Sequence, residues 1–223
     1  MGVDDDIHVA LAVNSAPAIS AVALRVRDAQ AAFTRCVSLG AWPVEATARP
    51  MELNIPGIHG VGASKVFFVD RWRDFSIYDV DFVSIPTVAS QVESVAALHW
   101  FGAVQYVGAQ RAAHWEAFYV ALFGFVPVPA QQQFGILPKG SILASPCGSL
   151  YWQLIEPDAD HVGDTTEALA RVALRTPDVP RAVAHLRKLG LDFVETDQLH
   201  TEQRGAISQA YLGGVMFELV SQQ

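Results

Sequence analysis

Apolar and polar positions along the chain fall into a block pattern that is used three times. In ISAVALRVRDAQAAFTRCVSLGAWPVE (19–45), an alternating stretch gives way to apolar residues at helical spacing, then a glycine, then a second extended run. LARVALRTPDVPRAVAHLRKLGLDFVET (169–196) repeats that order, with VALRVRDA answered by VALRTPDV and CVSLGAWPV by LRKLGLDFV. FGAVQYVGAQRAAHWEAFYVALFGFVPVP (101–129) lies between them at a spacing of roughly 70 to 80 residues. Asp or a small residue precedes each predicted helix, and Gly40, Gly124 or Gly190 follows it.

Each block closes on a strand introduced by glycine or serine: VGASKVFFVD, CGSLYWQLIE and LGGVMFELV. Val, Phe, Tyr and Leu favour a pleated, half-buried surface, and SQAYLGG followed by VMFELV reads as a hairpin. The pattern predicts an α+β protein of three βαβββ units with curved mixed sheets. Each unit is a strand, a helix and three mainly antiparallel strands. Residues 1–83 are expected to hold one unit with an N-terminal extension, 84–100 a linker, and 101–223 a paired domain.

Composition narrows the partners. The 223 residues are 51% hydrophobic, with 15 Lys+Arg against 23 Asp+Glu and a net charge of −8. The mean hydropathy is +0.25 and the pI about 5.2. A basic nucleic-acid footprint is not expected. Cys36 and Cys147 make neither a disulfide framework nor a thiolate metal site, which fits a reduced cytoplasmic protein. MGVDDDIHVALAV lacks the basic segment and apolar run of a signal peptide, and no apolar stretch approaches membrane-spanning length.

HWEAFYVALFGFVPV, SPCGSLYWQLIEP, VALRTPDVPRAVAHLRKLGLDFVET and GGVMFELV together resemble the vicinal-oxygen-chelate superfamily, especially 4-hydroxyphenylpyruvate dioxygenase. In the first unit ALRVRDAQAAF, ELNIPGIHGVG, KVFFVD and YDVDF look like the dioxygenase-like region fused to bacterial 3-dehydroshikimate dehydratases. The resemblance covers about residues 7–220 and implies a glyoxalase/dioxygenase-like paired domain. Such proteins commonly carry four units, so a fourth would lie ahead of residue 1; an early start, a fragment and a shortened protein all stay open.

The resemblance also implies a divalent metal held by two histidines and a glutamate, with positions left open for an oxo acid. Glu218 matches the glutamate, but the histidine positions fall on Gly102 and Arg171. Glycine has no side chain and arginine stays protonated, so neither replaces an imidazole. No metal is expected; the alternative is a relocated iron or magnesium site using Glu218. His99 lies three residues before Gly102, which puts it on the other strand face unless a bulge intervenes. His114, His161 and His200 form no compact ligand motif.

Arg171, Ala173 and Arg175 share one face of an extended chain. Periodicity leaves open whether that face meets water. The resemblance turns Arg171 inward toward Glu218, where the two charges can pair. Gln153 holds the equivalent terminal-strand position in the middle unit. Arg25 and Arg175 match between units, either as repeated sheet-edge charge or as an oxyanion fork. Tyr106, Tyr151, Trp152 and Phe217 are candidate aromatic walls, with core residues expected among them, and Trp115 and Tyr119 fit helix packing better still. FGILPKGSILASPCG lacks phosphate-loop spacing, and Cys147 reads as a structural thiol in a turn.

The expected function is a metal-site-divergent protein similar to 4-hydroxyphenylpyruvate dioxygenase that binds a small acidic or aromatic metabolite, with catalysis left open. Arg171, Glu218, Gln153, Arg175 and Tyr106 are its catalytic or ligand-binding candidates. One alternative is a metal-dependent dioxygenase or lyase with relocated ligands; another is a noncatalytic structural or interaction subunit. A lone βαβββ unit exposes a sheet face or edge, so a homo-oligomer, favoured as a dimer, is expected.

Overall fold

Alternating residues build the opening strands, and capped helices follow them. The computed structural model describes residues 18–45, 53–72, 76–83, 85–87, 93–129, 140–157, 167–194, 205–211 and 214–221. The first unit contains β1 (Ala21–Arg25), α1 (Ala29–Ser38), β2 (Gly57–His59) and β3 (Lys65–Val69). A short helix α2 (Tyr78–Asp81) and a single 3-10 turn at Val95–Ala97 come before the second unit. That unit comprises β4 (His99–Tyr106), α3 (Ala112–Phe123), β5 (Val126–Pro127), β6 (Ser141–Ala144) and β7 (Tyr151–Ile155). The third contains β8 (Ala168–Thr176), α4 (Val179–Lys188), β9 (Ala206–Ile207) and β10 (Met216–Ser221).

The helix boundaries follow their capping chemistry. Asp28 accepts a hydrogen bond from Ala31 N at 2.8 Å, and Asp178 accepts one from Arg181 N at 2.9 Å. Each carboxylate satisfies a donor that the first turn leaves free. Gly124 ends α3 with φ 70°, a left-handed conformation that glycine adopts without a Cβ penalty.

Topology repeats from unit to unit. In each, the opening strand runs parallel to the closing one: β1 with β3, β4 with β7, β8 with β10. The strands between pair antiparallel, as in β2–β3, β6–β7 and β9–β10. The second strand of the first unit shrinks to a bridge at Pro43–Ile58, and that of the third to Phe193–Ser208. The proline nitrogens of Pro43 and Pro127 cannot donate to a ladder, which limits pairing there. The expected hairpin before the last strand is present, closed by the Tyr211–Val215 bridge.

The first unit forms a three-stranded sheet, β1-β3-β2. The other two share a seven-stranded sheet ordered β5-β6-β7-β4-β8-β10-β9, joined at its centre by the antiparallel β4–β8 pair. The last two units are therefore paired, as the glyoxalase/dioxygenase-like reading expects. β4 begins at His99, inside the stretch expected as linker, and Ala96 and Leu98 pack against the α4 core.

Helices cover one face of the large sheet and leave the other for the site. Tyr119 of α3 packs with Phe125, Leu143, Trp152, Leu154 and Leu169. Leu186 and Val183 of α4 pack with Phe193, Ala206 and Leu219. α1 meets α3 through Cys36, Phe68 and Leu122, and Arg35 donates to the Leu122 and Ala121 carbonyls at the end of α3. No described helix is long and apolar enough to cross a membrane.

Candidate functional site

The sheet face away from α3 and α4 carries the polar residues. Pairing in register places Ile142, Gln153, Val104, Arg171 and Met216 in one row across five strands. The next row holds Ala144, Tyr151, Gly102, Ala173 and Glu218. Neighbouring residues in such a row project to the same side. Arg171, Glu218 and Gln153 thus come together because four closing and opening strands, β7, β4, β8 and β10, lie side by side.

Arg171 points inward. Its Nε lies 3.1 Å from Glu218 Oε2, with the two side chains 3% and 2% exposed. The distance is that of a close ion pair, yet neither atom meets the alignment of a hydrogen bond. Arg171 Nη1 donates to Tyr106 Oη at 3.4 Å, and its guanidinium carbon lies 5.7 Å from the Tyr106 ring centroid. Arg171 Nη2 is buried without a hydrogen-bond partner among the described residues. Arg175 Nε is in the same condition.

Phe101, Tyr151, Gln153, Ala173, Glu218 and Val220 are among the residues lining a recess of about 20 Å³ on this face, room for roughly one water. Phe101 stacks on Tyr151 with centroids 4.7 Å apart and 18° between planes. Tyr151 is therefore a wall, as the sequence suggests. Trp152 and Phe217 are not: each is one residue out of phase, on the helix-covered face. Trp152 instead donates from Nε1 to Gln105 Oε1 at 2.7 Å, where Tyr119 Oη also donates at 2.7 Å. Nothing in the sequence announces Phe101 as a wall or Gln105 as an anchor, because both depend on strand phase.

The strand phase is broken twice in β4. Register shifts between Trp100 and Gly102, and between Val104 and Gln105, interrupt its pairing with β8. The first is the bulge on which the placement of His99 depends. His99 ends up opposite Arg175, on the side of Gly102 and Ala173 rather than on the other face.

The three positions that the resemblance makes metal ligands do not fit a metal. A Cβ at Gly102 would overlap the backbone carbonyl of Tyr151, and the Arg171 cation sits against Glu218. Among the described residues, no group of three or more His, Cys, Asp or Glu gathers as a ligand set. His114 is exposed on α3, and His161 and His200 lie outside the described residues. So does most of the FGILPKG segment.

Other candidates separate by environment. Arg25 is exposed and lies over the Trp72 ring at 5.1 Å, so the matching arginines of two units have different surroundings. Cys147 is an exposed free thiol in the expected turn. Hydrogen bonds from Ser145 and Ser149 lower its pKa to about 7. Burial acts oppositely on Cys36 and raises its pKa, against the charge of Arg35.

Known proteins share this plan. A family described as hydroxyphenylpyruvate dioxygenase, N-terminal, matches residues 3–83. A 4-hydroxyphenylpyruvate dioxygenase from Pseudomonas aeruginosa is 30% identical over 205 residues, covering 86% of this chain and 56% of its own. A 3-dehydroshikimate dehydratase from the same organism is 28% identical over 200 residues, covering 80% and 29%. A solved triple mutant of 4-hydroxymandelate synthase from Streptomyces coelicolor superposes with a TM-score of 0.68 at 14% identity, over 92% of this chain and 71% of that one. The chain spans about half the length of the curated dioxygenases it matches. With its repeated units and paired sheet, the chain is consistent with the vicinal-oxygen-chelate superfamily and resembles 4-hydroxyphenylpyruvate dioxygenase and 3-dehydroshikimate dehydratase.

Proposed function

We propose that this chain is a metal-site-divergent relative of the dioxygenases that binds a small acidic or aromatic metabolite beside Arg171 and Glu218. The observation that supports it most is Arg171 Nη2, buried without a hydrogen-bond partner among the described residues. A buried donor left in that state costs about 1–3 kcal/mol, and a ligand carboxylate would satisfy it. The face carries two arginines against Glu218, an excess of positive charge that an acidic ligand offsets. Phe101 and Tyr151 supply the aromatic wall, and Gln153 an amide beside it. A metabolite needs more space than one water, so the Phe101–Tyr151 stack has to part for entry. The same pair offers an arginine for an oxyanion and a carboxylate for a proton, should the ligand be turned over.

Titration calorimetry with 4-hydroxyphenylpyruvate and 3-dehydroshikimate, the compounds in the relatives' names, tests this reading. Saturable binding of at least one is expected, weakened about tenfold or more by R171Q, the order of a lost charge-assisted contact. Absence of binding, or an R171Q protein that binds like the wild type, rejects it. The small recess favours a second reading, a noncatalytic subunit whose cavity is closed by the ion pair. That reading expects no saturable carboxylate binding.

A further inference from the structure

Four residues beyond Arg171 on the same strand, Arg175 repeats its condition without its counter-ion. Arg175 Nε is buried with no hydrogen-bond partner, and Arg175 forms no ion pair among the described residues. Arg171 at least has Glu218 at 3.1 Å. The neighbours across the strands make the imbalance larger. Arg175 pairs with His99 on β4 and with Val220 on β10. His99 brings a second N–H donor, and no carboxylate, to the opposite position. Arg25 at the matching position of the first unit is exposed over Trp72, so burial of the Arg175 Nε is not a repeated feature of sheet solubility.

Between the two arginines the floor is small. Ala173 lies between them on β8, paired with Gly102 on β4, and Ala173 lines the recess. Strand positions 171 and 175 are about 13 Å apart at roughly 3.3 Å per residue. Small residues therefore occupy the strand positions between the two cations.

We infer that Arg175, with His99, forms a second anion-reading point at this site, and that the ligand is a small dianion of the dicarboxylic acid class. One carboxylate meets the Nη edge of Arg171. The other lies between Arg175 and His99. This inference rests on the function proposed above and specifies its substrate class: a monoacid uses only the Arg171 end.

Titration calorimetry with the linear diacids from succinate to pimelate, each beside its monomethyl ester, tests it. At least one diacid is expected to bind about tenfold tighter than its half-ester, as a second charge-assisted contact would give. R175Q and H99Q should each reduce that advantage and leave half-ester affinity within about threefold. R175K, which keeps the charge but loses the fork, should fall between wild type and R175Q. Thermal melts of the variants verify folding, and exposed His99 gives a variant with no core to disturb. A diacid bound no better than its half-ester overturns the inference while monoacid binding leaves the proposed function standing. A diacid advantage that survives both R175Q and H99Q overturns it too, since the second charge is then read elsewhere. If no acid of either kind binds and the two relatives' compounds fail as well, both readings fall.

Discussion

Arg171 and Glu218 sit on adjacent parallel strands, one register row apart, with Nε and Oε2 separated by 3.1 Å in a nearly water-free setting. Ion pairs this buried gain Coulomb energy but lose hydration on both sides, so removing one partner costs more than removing both. R171A should therefore lower stability by about 3–5 kcal/mol, while R171M/E218M should recover most of that loss. Urea melts of the two variants and the wild type measure the difference. A double variant no more stable than R171A would show that the pair is not what holds Glu218 in place. Whichever way stability falls, the double variant should bind no monocarboxylate if Arg171 is the recognition element.

Gly102 forbids the simplest repair of the family's metal set. β4 and β7 approach so closely there that a Cβ would overlap the Tyr151 carbonyl. G102A is expected to destabilise by about 1–3 kcal/mol, the ordinary cost of forcing extra atoms into a packed place. G102H/R171H should likewise fail to gain a tight divalent metal site, because the Tyr151 carbonyl leaves no room for a side chain at position 102. Metal titration followed by circular dichroism checks this. Stoichiometric, tight metal binding with an unchanged fold would contradict it.

Gln105 anchors the opposite face. Its Oε1 accepts from both Tyr119 Oη and Trp152 Nε1, joining α3 to two strands in a fully buried contact. Burial also raises the Tyr119 pKa well above its ordinary value, so the phenol stays a donor. Q105L keeps the volume but strands two donors, each at about 1–3 kcal/mol. Its melting temperature should drop sharply, whereas Q105L/Y119F should recover part of the loss. Equal melting temperatures for Q105L and wild type would mean that the two donors find other acceptors.

Glu167 fastens the start of β8 to α3. Its Oε1 accepts from Gly108 N, Arg111 Nε and Trp115 Nε1. Burial pushes its pKa up, but the bonds from Trp115, Arg111 and Gly108, with the Arg111 charge, outweigh it and hold the carboxyl below its ordinary value. A depressed carboxyl stabilises the fold above its unfolded pKa, about 4.3, and that contribution disappears as pH falls through the folded value. Wild type should thus lose stability more steeply than E167Q below about pH 4.3. Parallel pH–melting curves for the two proteins would count against the assignment.

How far the sequence carries depends on where local rules suffice. Asp28, Asp178 and Gly124 mark helix ends by chemistry that acts within one turn, and the structure has helices at those places. Alternation in VALRT and VMFELV correctly predicts which residues share a face, but it is the resemblance, not the alternation, that turns Arg171 toward Glu218. The placement of His99 is open in the sequence because parity assumes a regular strand, and the shift between Trp100 and Gly102 that decides it is a pairing event with β8. Which of the four aromatics are walls and which are core stays open for a related reason: composition marks aromatic residues but not their phase. Gln105 escapes because its partners come from α3 and β7, and no local pattern joins them.

Cys147 and Cys36 give a test of environment at two chemically identical groups. Cys147 is exposed in the turn between β6 and β7, with its sulfur 3.3 Å from Ser145 Oγ and 2.8 Å from Ser149 Oγ. Those hydroxyls stabilise the thiolate and lower the pKa to about 7. Cys36 is buried against the end of α3, where desolvation disfavours the charged form. The thiolate is the nucleophile, so alkylation should be confined to Cys147 in the folded protein. Its rate with iodoacetamide should rise through a midpoint near pH 7, the value at which half the thiol is ionised. S149A removes the nearer hydroxyl and should move that midpoint upward without opening Cys36. Mass spectrometry of the labelled peptides separates the two sites. Labelling of Cys36 at a comparable rate, or a midpoint near the ordinary thiol value of about 8.5, would show that the serine hydroxyls do not hold the thiolate.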